Sequence, residues 1–235
     1  MLRQDIARVE DALHPHTVTA PTAGESRLRQ SAALVAAMAL VGALAPLHPL
    51  ASWAALAVYV VGSLSLLAWR VFRCHEAEGL FLRGPGLMAS LRWGTGMGLA
   101  LLVLGVVGMP AMRASLANPS GDAPLQAINS LLWGRGLVLL LPLLVIAEEG
   151  LWRGLLLSAL LERGLQPAWA IGLSSLGFAL NHLAVAPLPL GERALLGFMA
   201  LPLGIAAAML TVRTRCLWGG CVLHGLLIAA MLMGL

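Results

Sequence analysis

Two adjacent carboxylates lie inside a long apolar stretch of this sequence. Glu148 and Glu149 belong to segment 131–162, which is otherwise almost entirely uncharged. At 1.5 Å per residue, Glu148 lies about 21 Å along a helix from Glu162, close to the middle of a bilayer. An ionisable group at that depth costs at least about 2.5–3.5 kcal/mol on insertion scales, so the pair indicates a functional site.

The two glutamates are predicted to have different roles. Glu149 precedes Arg153 by four residues, the spacing and order that favour a charge-assisted pair on one face of a helix. Glu148 points about 100° away and is five residues from Arg153. We therefore predict a supporting role for Glu149 and Arg153 and a catalytic role for Glu148. A structural ion pair remains the alternative interpretation.

Two histidines occur in other apolar segments. His182 and His224 are ionisable groups that should face the interior of a helix bundle and find partners there. Phe178 precedes His182 by one helical turn and is predicted to pack on its ring. The alternative for each histidine is a hydrogen-bonded packing residue, but a nearby carboxylate at similar depth favours one shared site.

These residues resemble the signature of the CAAX protease and bacteriocin-processing (CPBP, Abi) family of glutamate-type intramembrane proteases. The signature has three motifs: E-E-x-x-x-R, F-x-x-x-H, and a later His followed after three residues by Asn or Asp. They correspond here to 148–153, to Phe178 and His182, and to His224. The order matches, on three predicted spans.

The resemblance implies that Glu148 acts as general base for a water molecule. It also implies that His182 and His224 position that water or stabilise the oxyanion. One position departs from the family, because Ile228 stands where Asn or Asp is expected. A missing oxyanion donor costs roughly 2.7–4 kcal/mol of transition-state stabilisation. Asn181 is a supporting residue, but it points about 100° away from His182 on a helix.

A zinc site is the nearest competing chemistry. Glu148, His182 and His224 together would form a two-His, one-carboxylate set with an open water position. The sequence has no H-E-x-x-H motif, and its three cysteines form no C-x-x-C pattern. We therefore predict no cofactor and keep zinc as an alternative.

Composition places these residues in a membrane protein. Of 235 residues, 59% are hydrophobic and 11% are charged, against roughly a quarter charged in soluble domains. One Tyr and four Phe offer little stacking surface, so no nucleic-acid partner is expected. The expected partners are the lipid bilayer and a membrane-anchored peptide or protein substrate.

Apolar segments recur along the chain at lengths near the roughly 20 residues that a transmembrane helix needs. They are 31–47, 51–69, 94–112, 131–162, 168–186, 193–211 and 217–235. Segment 131–162 is too long for one simple span, so it must tilt, bend near Pro142 or divide. We predict an all-α polytopic bundle of about seven to eight spans, with a polar tail at 1–30, one membrane domain at 31–235 and a catalytic core at about 131–235.

Arginine placement predicts the orientation. With the N-terminus inside, the inner segments hold Arg3, Arg8, Arg27, Arg29, Arg70, Arg73, Arg83, Arg92, Arg163, Arg213 and Arg215, and the outer ones hold Arg113 and Arg193. The positive-inside rule then predicts a cytoplasmic N-terminus and an outer C-terminus. With no organelle signal detected, we expect a prokaryotic inner membrane.

The predicted function is hydrolysis of membrane-anchored or hydrophobic peptides by glutamate-activated water. Two further alternatives are an immunity or scaffold protein of the same fold that cuts nothing, and a transporter that uses the buried Glu and His as a proton relay. A protease needs the three groups around one water-sized site, whereas a relay needs them spread across the membrane. The sequence leaves the oligomeric state open.

Overall fold

The computed structural model describes residues 22–44, 47–116, 127 and 130–234. Regular structure in this part of the chain is helical, without strands, which confirms the predicted all-α class. The helices are α1 (Ala23–Ala43), α2 (Pro49–Phe72), α3 (Leu87–Leu116), α4 (Leu141–Glu149), α5 (Ser158–Glu162), α6 (Pro167–Val185), α7 (Leu190–Thr214) and α8 (Trp218–Gly234). Residues 1–21 of the predicted tail lie outside the described residues, whereas 23–30 form the first turns of α1.

Segment 131–162 is divided, which is one of the three arrangements that its length allows. A π-helical turn (Ser130–Gly134) and a 3-10 turn (Leu137–Leu140) precede α4, and Gly136 between them has φ of 68°. Glycine adopts such a left-handed conformation without steric cost, so the chain changes direction here. Pro142 occupies the first turn of α4, where its missing N–H is harmless. From α4 the helix continues through a π-helical stretch (Gly150–Leu157) into α5.

Four helices of the described chain are long and apolar enough to cross a membrane. They cover Leu50–Phe72, Leu87–Gly108, Pro167–Val185 and Leu190–Thr214, and α8 contributes a shorter apolar helix, Trp218–Leu232. These spans match four of the predicted segments and support a helical bundle embedded in a bilayer. The total of seven to eight spans stays a prediction.

Small residues bring α3 and α8 into backbone contact. A Cβ atom on Gly219 would collide with the carbonyl of Ser90, and one on Gly94 would collide with Gly219. The Ser90 hydroxyl accepts from the Gly219 N–H at 2.9 Å and donates to the Cys216 carbonyl at 2.9 Å. Close approach of this kind is how helices associate in membranes, where burial of apolar side chains gives little net force. The contact fixes α8, which carries His224.

A buried ionic network closes one end of the bundle. Arg27 is 3% exposed and forms ion pairs with Glu76, at 3.4 Å, and with Glu162. Arg70 pairs with Glu76 at 2.9 Å. The network joins α1, α2 and α5, and therefore helps to position the helix that carries both candidate glutamates.

Candidate active site

A cavity of about 410 Å³ lies between α2, α4, α6, α7 and α8. Three of these helices each line it with a stripe of residues at i, i+3, i+4 and i+7, the pattern of one helical face. The stripes are Phe178, Asn181, His182 and Val185 on α6, Leu196, Met199, Ala200 and Leu203 on α7, and His224, Leu227, Ile228 and Met231 on α8. Most of the lining is apolar, and its few polar side chains include all three residues predicted to be catalytic.

Glu148 and His224 are in direct reach of each other at the cavity. The Oε2 atom of Glu148 lies 3.5 Å from Nε2 of His224, and both residues are nearly buried. This separation is well within the range that one water can bridge. Glu148 and His224 therefore form the close pair that a shared hydrolytic site needs, whereas a proton relay would need its groups spread across the membrane.

Glu149 lies behind the cavity lining and holds two partners. Its Oε1 atom is 3.1 Å from Nη1 of Arg153, and both side chains are completely buried. The predicted i,i+4 ion pair is therefore present. Arg153 also donates from Nη2 to the Gly204 carbonyl at 3.1 Å. Buried charges need such additional partners, because desolvation outweighs a single contact.

The second partner of Glu149 was not predicted from the sequence. Nδ1 of His224 lies 3.0 Å from the same Oε1 atom. A carboxylate paired with an arginine is ionised and can only accept, so Nδ1 of His224 carries the hydrogen. Glu149 thereby fixes the orientation of His224, whose Nε2 atom faces Glu148. A carboxylate that orients a catalytic imidazole in this way also occurs in hydrolase triads.

His182 is held by its own helix. Its Nδ1 atom lies 2.9 Å from the carbonyl of Phe178, an acceptor that assigns the hydrogen to Nδ1. The Nε2 atom is thus left as an acceptor, and the residue is partly exposed to the cavity. In its neutral form, His182 can accept a hydrogen bond from water but has no hydrogen on Nε2 to donate.

Phe178 is the aromatic centre of the cluster. Its ring centroid lies 5.0 Å from that of His182 and 5.6 Å from that of His224, in edge-to-face arrangements that aromatic pairs favour. The predicted packing on His182 is present and extends to the second imidazole. The Arg153 guanidinium lies 4.6 Å from the same ring, a cation–π distance.

Tyr59 is a site residue that the sequence reasoning missed. It is the only tyrosine in the chain, it is 1% exposed, and it lines the cavity beside Glu148. Its hydroxyl accepts a hydrogen bond from Nε1 of Trp152 at 2.7 Å. No motif marks Tyr59, because it is 93 residues from its partner. A lone tyrosine in an apolar span was the available signal, since a buried phenol needs a polar partner.

Asn181 and Ile228 both line the cavity. The expected 100° between Asn181 and His182 does not remove Asn181 from the site, because the lining face of α6 is wide enough to include both residues. Ile228 occupies the matching position on α8, one turn after His224. The departure from the family motif therefore places an apolar side chain in the cavity wall.

No group of three or more His, Cys, Asp or Glu side chains that could hold a metal ion is found among the residues that the structure describes. Glu148 and His224 are close together, but the three residues of the zinc alternative do not form a ligand set in this conformation.

Comparison with protein families gives a match for part of the chain. Residues 128–230 match a family model described as type II CAAX prenyl endopeptidase Rce1-like. The matched segment contains all three sequence motifs and agrees with the family resemblance based on them. No curated protein and no solved structure matches the chain.

Proposed function

Because residues 128–230 of this chain match the family model described as type II CAAX prenyl endopeptidase Rce1-like, we propose that the protein is an intramembrane endopeptidase of the glutamate type. One observation carries the mechanism: Glu148 lies 3.5 Å from an oriented imidazole in a cavity that His182 also lines. An acceptor-rich pocket of this kind suits the activation of water.

In the proposed reaction, a water molecule binds between Glu148 and the Nε2 atoms of the two histidines. Glu148 removes a proton from the water as its oxygen attacks the peptide carbonyl carbon, and the π electrons of the carbonyl move to its oxygen. When the tetrahedral intermediate collapses, the C–N bond breaks and Glu148 returns the proton to the leaving amine. The acid and base are thus one residue, and no covalent enzyme intermediate forms.

Glu149 and Arg153 contribute through His224. The carboxylate of Glu149 keeps the hydrogen of His224 on Nδ1, so that Nε2 is an acceptor toward the water. Arg153 keeps Glu149 ionised and in place. Because these residues do not line the cavity, their role is to position the groups that touch the substrate.

The apolar lining of the cavity supports a membrane-anchored or hydrophobic peptide as substrate. The protein is integral to the membrane, and the arginine distribution supports a cytoplasmic N-terminus. The proposed location is a prokaryotic inner membrane. Arg27 and Arg70 share the ionic network at one end of the bundle, whereas Arg193 donates to the carbonyls of Leu183, in the last turn of α6, and of Leu188. Such grouping of the inner arginines supports the same orientation.

The test compares membranes of cells that produce wild type, Glu148→Gln and Glu78→Gln at equal abundance. A glutamine in place of Glu148 keeps the shape of the side chain but has no base, whereas Glu78 is exposed and remote from the cavity. New N- and C-termini are identified by mass spectrometry. We expect products that occur with wild type and Glu78→Gln and are absent with Glu148→Gln.

Two outcomes would contradict this proposal. Equal products from folded wild type and Glu148→Gln would exclude glutamate catalysis. A complete absence of wild-type products, with any cellular phenotype of the wild-type protein preserved in Glu148→Gln, would favour the immunity or scaffold alternative. Purified protein treated with 1,10-phenanthroline addresses zinc. We expect cleavage to be retained, and its loss with recovery upon added Zn²⁺ would support the metalloprotease alternative.

A further inference from the structure

Hydrolysis of an amide requires a hydrogen-bond donor for the oxygen that becomes negative in the tetrahedral intermediate. In both imidazoles of the site, the Nδ1–H group already donates a hydrogen bond within the protein. His182 donates from Nδ1 to the Phe178 carbonyl, and His224 donates from Nδ1 to Glu149. In their neutral forms, both Nε2 atoms are acceptors, as is the carboxylate of Glu148. With neutral histidines, the cluster that activates water thus has no donor to offer the oxyanion.

Three other cavity-lining side chains carry an N–H or O–H group: Trp53, Tyr59 and Asn181. The Tyr59 hydroxyl accepts a hydrogen bond from Nε1 of Trp152, and the residue is 1% exposed, so little of its hydroxyl is accessible to a substrate. Trp53 lies six residues before Tyr59 on α2, about 9 Å farther along the helix, with its ring packed against the Arg135 guanidinium. Neither side chain is well placed to donate a hydrogen bond to a substrate oxygen beside Glu148.

The side-chain amide of Asn181 is the remaining candidate donor. The residue is 7% exposed, and its side chain makes no hydrogen bond with any part of the chain that the structure describes. Buried amides are normally hydrogen-bonded, so an unpartnered one in a cavity wall points to a ligand as its partner. It precedes His182 directly, on the same lining face of α6.

We propose that Asn181 is the oxyanion donor of this protease, an assignment that rests on the proposed function. Its amide N–H donates to the substrate carbonyl oxygen as the π electrons move onto that oxygen and the water attacks. The hydrogen bond shortens as negative charge develops and relaxes when the carbonyl re-forms and the C–N bond breaks. The proton from the water passes to Glu148 and then to the leaving amine, so Asn181 stabilises charge without exchanging a proton.

The position of Ile228 allows a direct test, in which the amide donor is moved from residue 181 to residue 228. Ile228 lines the same cavity from α8, one turn after the oriented His224. If the site needs one amide donor, an asparagine at 228 should replace a missing one at 181. Its contribution should be small when Asn181 is intact.

The experiment uses full-length protein in its native membranes and follows the product that wild type forms and Glu148→Gln does not. Asn181→Ala and Asn181→Ser are both smaller than asparagine, so neither overpacks α6, and they differ by one hydroxyl donor. We expect Asn181→Ala to lower kcat by about 10²–10³-fold with little change in KM. Asn181→Ser and the double variant Asn181→Ala, Ile228→Asn should each recover at least about tenfold.

Ser175→Ala is the matched control, because Ser175 is a buried, unpartnered polar side chain on the same helix that does not line the cavity. We expect wild-type kcat for this variant. An Asn181→Ala variant within threefold of wild type would overturn the inference while leaving glutamate catalysis intact. So would a loss of activity that neither Asn181→Ser nor Ile228→Asn restores. Full activity of Glu148→Gln would instead refute the proposed function itself.

Discussion

The buried pair of Glu149 and Arg153 allows stability and catalysis to be separated by a double-mutant cycle. Both side chains are completely buried and 3.1 Å apart. Glu149→Leu leaves the Arg153 guanidinium with only the Gly204 carbonyl and the Phe178 ring as partners. Arg153→Met leaves an ionised carboxylate with only His224. Each single substitution therefore leaves a buried charge without its ion-pair partner.

The magnitude follows from this geometry. Removing one partner of a buried ion pair costs about 3–5 kcal/mol, because the remaining charge is uncompensated, whereas apolar replacement of both partners is often close to neutral. The Phe178 contact contributes up to about 2 kcal/mol, but it persists in Glu149→Leu and does not offset the loss. We expect each single variant to lose about 3 kcal/mol or more and the double variant to lose about 1 kcal/mol. The expected coupling energy is therefore at least about 5 kcal/mol.

The free energy of unfolding is measured by SDS titration in micelles. Glu25 and Arg29 have the same i,i+4 spacing on α1 but are 32% and 71% exposed, so the equivalent cycle there is a matched control with about 0.3–0.5 kcal/mol of coupling. Cleavage should stay low in the restabilised double variant, because His224 loses the acceptor of its Nδ1 hydrogen. Additive losses at 149 and 153 would refute the reasoning on stability, and wild-type cleavage by the double variant would refute the positioning of His224.

Two further predictions concern the elements that frame the site. Tyr59→Phe should lower the free energy of unfolding by about 1–3 kcal/mol, because it leaves the buried Nε1 of Trp152 without its acceptor; SDS titration of the purified variant checks this, and an unchanged midpoint would contradict it. Gly219→Val should cost about 1–3 kcal/mol and reduce cleavage, because its side chain would collide with the Ser90 carbonyl and push α8 away from α3. Gly225→Val is the control on the same helix, with open space around the new Cβ, and equal losses from both variants would contradict the packing argument.

Local contacts were predictable from the sequence because helical geometry fixes them. The Glu149–Arg153 pair and the packing of Phe178 on His182 both join residues four apart, and both are present. The length of segment 131–162 predicted that it could not be one simple span, but the break lies at Gly136 and not at Pro142. These predictions needed only a rise and a rotation per residue.

Contacts between distant residues were beyond such reasoning. The bond between Glu149 and His224 joins residues 75 positions apart, and the rotation of α8 about its axis decides which nitrogen meets which glutamate. Close packing at Gly219 holds α8 at that rotation, and a glycine pair in an apolar helix indicates packing without naming the partner. Tyr59 carries no motif, and its place beside Glu148 depends on how α2 crosses α4.

The division of labour between the adjacent glutamates depends on the one histidine that contacts both. A rotation of about 100° per residue puts Glu148 in the cavity wall and Glu149 behind it. His224 reaches each carboxylate with a different nitrogen, at 3.5 and 3.0 Å. Arg153 forms its ion pair with Glu149, so the negative charge of that carboxylate is compensated within the protein. The carboxylate of Glu148 faces the cavity and can accept a proton there. The E-E-x-x-x-R spacing thus places the base and the residues that orient its neighbouring imidazole within two turns of one helix. In the proposed mechanism, the hydrogen-bond donor for the oxyanion comes from another helix, α6, which carries Asn181.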